Sequence, residues 1–158
     1  MSSTTRTLQA TPEQVWSILA DGWLYPLWVV GASRMREVDD DWPSPGSKLH
    51  HSVGAWPLLL DDNTEVTESR PQHQLSLRGR AWPVGEVGID IRLLAVGAAT
   101  EVTIEEDAVA GPGRLVPPPL RGLTLRWRNV ETLRRLAYLA ERRSGSASAD
   151  APRPEDSR

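Results

Sequence analysis

A repeated alternation of apolar and polar residues constrains this chain more than any other feature of its sequence. Between residues 85 and 95, apolar side chains occupy every second position: Val87, Ile89, Ile91 and Leu93. Successive side chains of a β-strand point to opposite faces of the sheet, so this strand has one apolar face and one wet face. Such a strand needs partners along its edges and a cover over its apolar face.

Similar stretches predict the rest of the sheet. We expect strands over residues 4–9, 34–38, 47–53, 63–70, 74–80, 85–95 and 100–107. The connections are short and contain turn residues such as Pro, Gly and Asp, which implies antiparallel neighbours. The pattern therefore predicts a curved antiparallel sheet of about seven strands.

Two short helices are predicted after the first strand. Thr11 precedes Pro12 and Glu13, which is typical of an N-cap followed by proline in the first helical turn. We expect Gly22 to end this helix in a left-handed conformation. Pro26 interrupts the next apolar run, so residues 23–30 are expected to form only a helical turn or two.

One long helix is predicted at the C-terminal end, from the prolines at 117–119 to Arg143. Its apolar residues recur near one stripe: Leu120, Leu123, Trp127, Val130, Leu133, Leu136, Ala137 and Ala140. We expect this stripe, with Trp127 in the core, to cover the apolar face of the sheet. Residues 1–143 then form one α+β domain, and residues 144–158, which are small and polar, are predicted to be a disordered tail.

Composition excludes several kinds of chemistry. The chain has no cysteine, so it has no disulfide, no thiolate metal site and no cysteine nucleophile. The three histidines lack the spacing of a metal-binding motif, and nucleotide-binding and serine-hydrolase motifs are missing. We therefore expect no metal and no cofactor.

Charge and hydropathy bear on partners and location. Residues 114–143 hold eight arginines against Glu131 and Glu141, which we interpret as a solvated helix face and not as a nucleic-acid site. The apolar stretches are too short for stable membrane insertion, and the N-terminal residues do not form a signal peptide, so a cytoplasmic location is expected. The sequence does not determine the oligomeric state.

The order of the elements and two local motifs resemble a known superfamily. The segment ATPEQVWSILAD after the first strand is similar to the opening of the START-like (SRPBCC) polyketide cyclase/dehydrase and lipid-transport family, and Trp28 lies where its helix pair commonly ends in tryptophan. The resemblance spans roughly residues 3–143. It implies the helix-grip fold, in which a curved sheet wraps the C-terminal helix, and a cavity that holds a small hydrophobic molecule.

The alternation and the helical stripe give candidate residues for this cavity. Its apolar wall is predicted to consist of Trp28, Leu49, Val53, Val66, Leu75, Leu77, Ile89, Ile91, Val102, Ile104, Leu123 and Trp127. Three polar side chains share the inward faces of their strands and are candidates for ligand binding or acid/base catalysis: His51, Glu68 and Glu106.

Three functions follow from this interpretation. The first is a carrier or binding protein for a lipid-, isoprenoid- or polyketide-like molecule. The second is an aromatase/cyclase-type enzyme in which His51 and a glutamate move protons on a carbonyl substrate. The third is an accessory protein that binds a partner through the arginine-rich helix face or Trp56. A closed interior favours the third, a dry pocket the first, and a pocket with converging polar groups the second.

Overall fold

The computed structural model describes residues 2–53, 57, 60–81, 85–110 and 118–149 of the chain, with side chains for 3–53, 57, 60–80, 85–107 and 126–145. Seven strands form one sheet: β1 (Ser2–Leu8), β2 (Ala32–Val38), β3 (Lys48–Val53), β4 (Leu60–Arg70), β5 (Gln74–Ala81), β6 (Gly85–Val96) and β7 (Ala99–Ala110). The helices are α1 (Pro12–Leu19), α2 (Tyr25–Trp28) and α3 (Pro118–Ala149), with a 3₁₀ turn over Gly22–Leu24.

The sheet is antiparallel throughout, in the order β1-β7-β6-β5-β4-β3-β2. Each strand from β2 to β6 therefore pairs with its successor, and β1 pairs with β7. The predicted alternation on β6 is confirmed, since Val87, Ile91 and Leu93 are buried. Helix α3 packs on β1 and β7 and against α1 and α2. This is the predicted α+β helix-grip architecture.

Local sequence explains where α1 begins. Thr11 Oγ1 accepts a hydrogen bond from the backbone N–H of Gln14, and Gln14 Oε1 accepts one from the backbone N–H of Thr11. This reciprocal capping box satisfies two of the N–H groups that a helix start leaves unpaired. Pro12 occupies the first turn, where its missing N–H costs nothing. The predicted N-cap is confirmed.

Gly22 has a different role from the one we predicted. It does not have a positive φ, and Ala20, in a right-handed conformation, caps α1. A Cβ atom at position 22 would lie 2.6 Å from Leu49 Cδ2 and 2.8 Å from Val38 Cγ1. Glycine is needed here because the 3₁₀ turn passes directly over the sheet, not because the backbone is left-handed.

The C-terminal half of α3 is fixed to the N-terminal elements by polar contacts. Glu141 Oε1 accepts from the backbone N–H of Gln9 at 3.0 Å, and Arg143 Nη1 donates to Ser17 Oγ at 3.0 Å. Ser144 Oγ donates to Gln14 Oε1 at 2.8 Å. The helix continues to Ala149, so the boundary predicted after Arg143 lies too early. Residues 150–158 of the predicted tail are outside the described residues.

Most arginines of α3 whose side chains are described make intramolecular contacts. Arg134 and Arg135 both pair with Glu131, and the guanidinium of Arg142 lies 5.0 Å from the ring centre of Tyr138. Among the residues described, no helix combines the length and apolar character needed to cross a bilayer. The cytoplasmic location stays a prediction, and Trp56 lies outside the described residues.

Candidate functional site

Two adjoining cavities lie between the inner face of the sheet, α2 and the N-terminal part of α3. The larger chamber has a volume of about 90 Å³ and the smaller chamber about 10 Å³. Both are lined by Tyr25, Val29, Ile89 and Arg128, so the two cavities adjoin along these four residues. A volume of about 10 Å³ is close to the minimum that accommodates one water-sized group.

The larger chamber combines an apolar wall with a short polar network. Thr64 Oγ1 lies 2.9 Å from His51 Nε2 and 3.3 Å from Tyr25 Oη, so the threonine hydroxyl joins the two rings by hydrogen bonds. The rings of Tyr25 and His51 are 5.4 Å apart. The other described lining residues are Val29, Val30, Gly31, Ala32, Val53, Gly79, Arg80, Val87, Ile89 and Arg128.

Burial keeps both rings of this network uncharged at neutral pH. Burial lowers the pKa of His51, and the nearby Asp62 carboxylate opposes that change only in part. Burial also raises the pKa of Tyr25 above its ordinary value, against the hydrogen bond from Thr64. The site therefore presents a neutral imidazole and a protonated phenol. Each can exchange a proton with a group that lies within hydrogen-bonding distance of it.

The smaller chamber contains a charged pair. Arg128, on α3, donates from Nη2 to Oε1 of Glu106, on β7. The Glu106 side chain is only 4% exposed, whereas that of Arg128 is 31% exposed. A buried carboxylate without a partner is strongly unfavourable, and Arg128 supplies that partner for Glu106.

Several buried polar atoms around the chambers have no partner. Among the described side chains, five buried nitrogen or oxygen atoms lack a hydrogen bond, and four belong to chamber residues: Trp28 Nε1, His51 Nδ1, Glu106 Oε2 and Asn129 Nδ2. Each such atom costs roughly 1–3 kcal/mol of stability relative to a paired one. Their concentration at one place marks the chambers as different from the rest of the core.

The phase of α3 brings polar residues to the smaller chamber. Helical residues advance by roughly 100°, so Asn129 lies about 40° from Leu133 around the axis, whereas Trp127 lies about 120° from it. Leu133 and Asn129 are each 1% exposed, and Trp127 is 68% exposed. Thr132 is also buried, and its Oγ1 accepts from the backbone N–H of Val30 at 3.4 Å.

The predicted wall residues fall into three groups. Those that line a chamber are Trp28, His51, Val53, Leu77, Ile89, Ile91, Ile104 and Glu106. Those that pack in the apolar core and are not among the described lining residues are Leu49, Val66, Leu75 and Val102. The prediction for Trp127 is wrong, since its ring lies at the surface. The side chain of Leu123 is outside the described residues.

The prediction that Glu68 faces the cavity is also wrong, and a β-bulge is the reason. The register of β4 and β5 shifts between Val66 and Glu68, so Glu68 pairs with Ser76, whereas Val66 pairs with Leu77. Directly paired residues share a face, and one extra residue reverses the alternation beyond it. Glu68 therefore lies on the outer face, where its carboxylate contacts Arg70 at 2.6 Å.

Six polar lining residues were not predicted: Tyr25, Thr64, Arg80, Arg128, Asn129 and Thr132. Thr64 carries a signal in the sequence, because it alternates in phase with Val66. Asn129 and Thr132 each lie four residues before a buried leucine of α3, Leu133 and Leu136, which is the spacing of one helix face. Tyr25 and Arg128 carry no comparable signal, since their positions depend on how α2 and α3 meet the sheet.

Solved structures share this fold. Protein NE0264 from Nitrosomonas europaea superposes with a TM-score of 0.68 at 19% identity, over 90% of this chain and 95% of that one. A protein from Rhodobacter sphaeroides gives 0.66 at 24% identity, over 87% and 89%. DynU16, a protein in the dynemicin biosynthetic locus, gives 0.64 at 20% identity, over 89% of this chain and 46% of that one. The fold class is thus helix-grip.

Sequence comparison then assigns the family. The sequence profile described as "Polyketide cyclase / dehydrase and lipid transport" matches residues 2–141. The chain therefore belongs to the polyketide cyclase/dehydrase and lipid-transport family, as its motifs predicted. No protein with a curated function matches the sequence significantly.

Proposed function

We propose that this protein binds a compact, largely apolar small molecule in the two chambers between the sheet and α3. The observation that carries the proposal is a mainly aliphatic and aromatic lining interrupted by a few buried polar groups, above all Tyr25, His51, Thr64 and Arg128. Pockets of this composition obtain affinity from apolar burial and orientation from the polar groups. Membership of a family that includes lipid-transport proteins supports the same function.

The size of the chambers favours a compact ligand over a long acyl chain. The described residues enclose about 90 Å³ and 10 Å³, whereas typical ligand pockets measure about 300–1,000 Å³. A ring-containing molecule of polyketide or isoprenoid character matches the lining better than an extended lipid does.

Acid/base catalysis is the second candidate, and the hydrogen-bonded network of Tyr25, Thr64 and His51 favours it. A neutral imidazole accepts a proton, and a phenol that stays protonated donates a hydrogen bond to a carbonyl oxygen. Glu106 is held by Arg128 in the smaller chamber, so His51 and Tyr25 are the groups proposed to act. If this function is correct, the substitution His51→Gln should abolish turnover of a carbonyl substrate. It should change the dissociation constant of the ligand by no more than about threefold.

Binding is tested by native mass spectrometry of the freshly purified protein, together with thermal unfolding in the presence of ring-containing polyketide-like and isoprenoid-like compounds. We expect a defined small-molecule adduct or a rise in the unfolding temperature. The variant Ile89→Phe places a larger side chain where the two chambers adjoin. It should remove both the adduct and the rise in unfolding temperature. Leu94→Phe is the matched control, because Leu94 lies on the same strand and is 61% exposed.

The proposal fails under either of two results. One is the absence of any adduct or thermal shift across the whole set of compounds. The other is an equal loss of binding in Ile89→Phe and Leu94→Phe, which would place the binding site outside the chambers.

A further inference from the structure

Three of the unpartnered buried atoms belong to the smaller chamber and come from three different elements. Trp28 Nε1 lies on α2, Glu106 Oε2 on β7 and Asn129 Nδ2 on α3. The Trp28 and Asn129 groups are N–H donors, whereas Glu106 Oε2, in a carboxylate whose other oxygen pairs with Arg128, is an acceptor. All three residues line the smaller chamber, of about 10 Å³, so a group placed there satisfies these atoms only if it accepts from the two donors and donates to the acceptor.

A hydroxyl group matches this set best. Its oxygen accepts hydrogen bonds from the two N–H groups, and its proton is donated to the carboxylate. A carbonyl oxygen would satisfy the donors but leave Glu106 Oε2 without a partner. An ammonium group would satisfy Glu106 but leave both donors unpaired. Unpaired buried groups are costly, so the chamber discriminates among these ligands.

Charge points to the same class of ligand. Arg128 and Glu106 neutralise each other, so the chamber already contains a balanced pair. A ligand carboxylate would add a negative charge beside Glu106 inside the fold, and a ligand ammonium would add a positive charge beside Arg128. Bringing an unbalanced charge into a buried site is strongly unfavourable. A neutral group leaves the pair intact.

We propose that the ligand is a neutral molecule with a hydroxyl group, such as a phenol, whose oxygen occupies the smaller chamber between Trp28, Glu106 and Asn129 while its apolar body fills the larger chamber. This inference rests on the proposed binding function and specifies the chemistry of its ligand. A volume of about 10 Å³ is also enough for one water molecule, which is the alternative occupant of this chamber.

The test compares four probes of similar size by isothermal titration calorimetry: 4-ethylphenol, ethylbenzene, 4-ethylbenzoate and 4-ethylbenzylammonium. Wild-type protein is expected to bind 4-ethylphenol about tenfold more tightly than ethylbenzene, because at least two hydrogen bonds are added. The two charged probes should bind at least about tenfold more weakly than 4-ethylphenol. This comparison needs no variant and does not depend on how well one folds.

Two variants locate the preference in the chamber. Asn129→Leu removes one donor with little change in volume, and Trp28→Phe removes the other donor together with the five-membered ring of the indole. Each should reduce the ratio of phenol to ethylbenzene affinity about threefold. Leu77→Met, a change in the apolar wall of the same chamber, should alter the two affinities in proportion and leave the ratio unchanged. Circular dichroism and thermal unfolding establish that each variant is folded before it is titrated.

The outcomes separate this inference from the proposed function. If no probe binds and the broader set of compounds also fails, the binding function itself is refuted. Binding of ethylbenzene as tight as that of 4-ethylphenol overturns the hydroxyl site and leaves the binding function standing, with water as the only occupant of the smaller chamber. A preference for the benzoate or the ammonium probe, or a phenol preference retained in both donor variants, also contradicts the hydroxyl site.

Discussion

Between Leu133 and Ala140, helix α3 buries only apolar side chains against the sheet, whereas between Arg128 and Thr132 it buries polar ones. The first segment is closely packed, and polar contacts with α1 and with Gln9, just after β1, fix the helix beyond it. The second segment lines the two chambers. On this one helix, the segment from Leu133 to Ala140 therefore stabilises the fold. The segment from Arg128 to Thr132 buries polar groups, which lowers stability.

This difference indicates which end carries function. Buried polar groups without partners lower stability, and an apolar side chain at position 129 would remove that cost. A chain that keeps Asn129, Glu106 and Trp28 in such positions departs from the pattern that favours folding, and departures of this kind are expected at functional sites. The comparison predicts that substitutions in the closely packed segment change stability and that substitutions around the chambers change mainly binding.

The largest effect is expected in the packed segment. Leu136 is fully buried, so Leu136→Ala should lower the free energy of unfolding by about 3 kcal/mol through lost apolar contact and an unfilled cavity. Urea unfolding measures this change. Tyr138→Ala, at a position that is 59% exposed on the same helix, is the control and should cost less than about 1 kcal/mol. Similar losses at both positions would contradict the assignment of Leu136 to the core.

The next effect concerns the charged pair. Arg128→Met leaves the Glu106 carboxylate buried without its partner, so we expect a loss of about 2 kcal/mol, less than for a fully buried pair because Arg128 is 31% exposed. In the double variant with Glu106→Gln, more than half of the lost stability should be recovered, because no unpaired carboxylate is buried. Urea unfolding of the two single variants and the double variant gives the coupling energy. Additive losses would show that the two side chains do not stabilise each other.

Two glycines allow the packing of the core to be compared with the packing of the chamber wall. A Cβ at Gly22 would lie 2.6 Å from Leu49 Cδ2, whereas a Cβ at Gly79, in the wall of the larger chamber, would have Thr64 Oγ1 at 3.5 Å as its nearest neighbour. Gly22→Ala should therefore cost about 1–2 kcal/mol by overpacking. Gly79→Ala should change stability by less than about 0.5 kcal/mol and weaken binding of 4-ethylphenol. Thermal unfolding measures the change in stability of each variant, and calorimetry measures the binding of 4-ethylphenol. Equal destabilisation of the two variants would mean that the chamber wall is as closely packed as the core.

The same contrast explains how far the sequence predicts the molecule. The strands, the cap of α1 and the C-terminal helix follow from alternation, capping residues and an apolar stripe, all of which are local. Position 127 shows the limit for the helix, because an apolar residue near the predicted stripe is nevertheless 68% exposed. Position 68 shows the limit for a strand, because a bulge reverses the alternation without any change in composition.

The chamber residues that were predicted on the strands alternate in phase with apolar neighbours, and this holds for the polar His51 and Glu106 as well. Ile89, Ile91 and Ile104 were found because they are apolar and in phase. Asn129 and Thr132 were missed because a rule that places polar residues outside assigns them to solvent. Only the three-dimensional arrangement shows that the arginine at position 128 reaches a carboxylate inside the fold. Polar residues in phase with a buried stripe are thus a useful signal for a site.

The smallest effect is expected in the pH dependence of stability. Burial lowers the pKa of His51 in the folded state below its ordinary value of about 6.5, so the unfolded chain binds a proton more readily than the folded one. The stability contributed by the neutral imidazole is therefore complete above about pH 6.5. It is lost progressively as the pH falls from that value towards the lower pKa of the folded state.

His51→Gln removes this titration, so the decrease in the free energy of unfolding between pH 7 and pH 5 should be smaller in the variant than in the wild-type protein. Urea unfolding at the two pH values gives the difference, from which effects common to both proteins cancel. His73→Gln is the control, because His73 is exposed and should leave the decrease unchanged. If His51→Gln keeps the full wild-type decrease, His51 is not buried in its neutral form, and the polar network of the larger chamber loses its proposed acceptor.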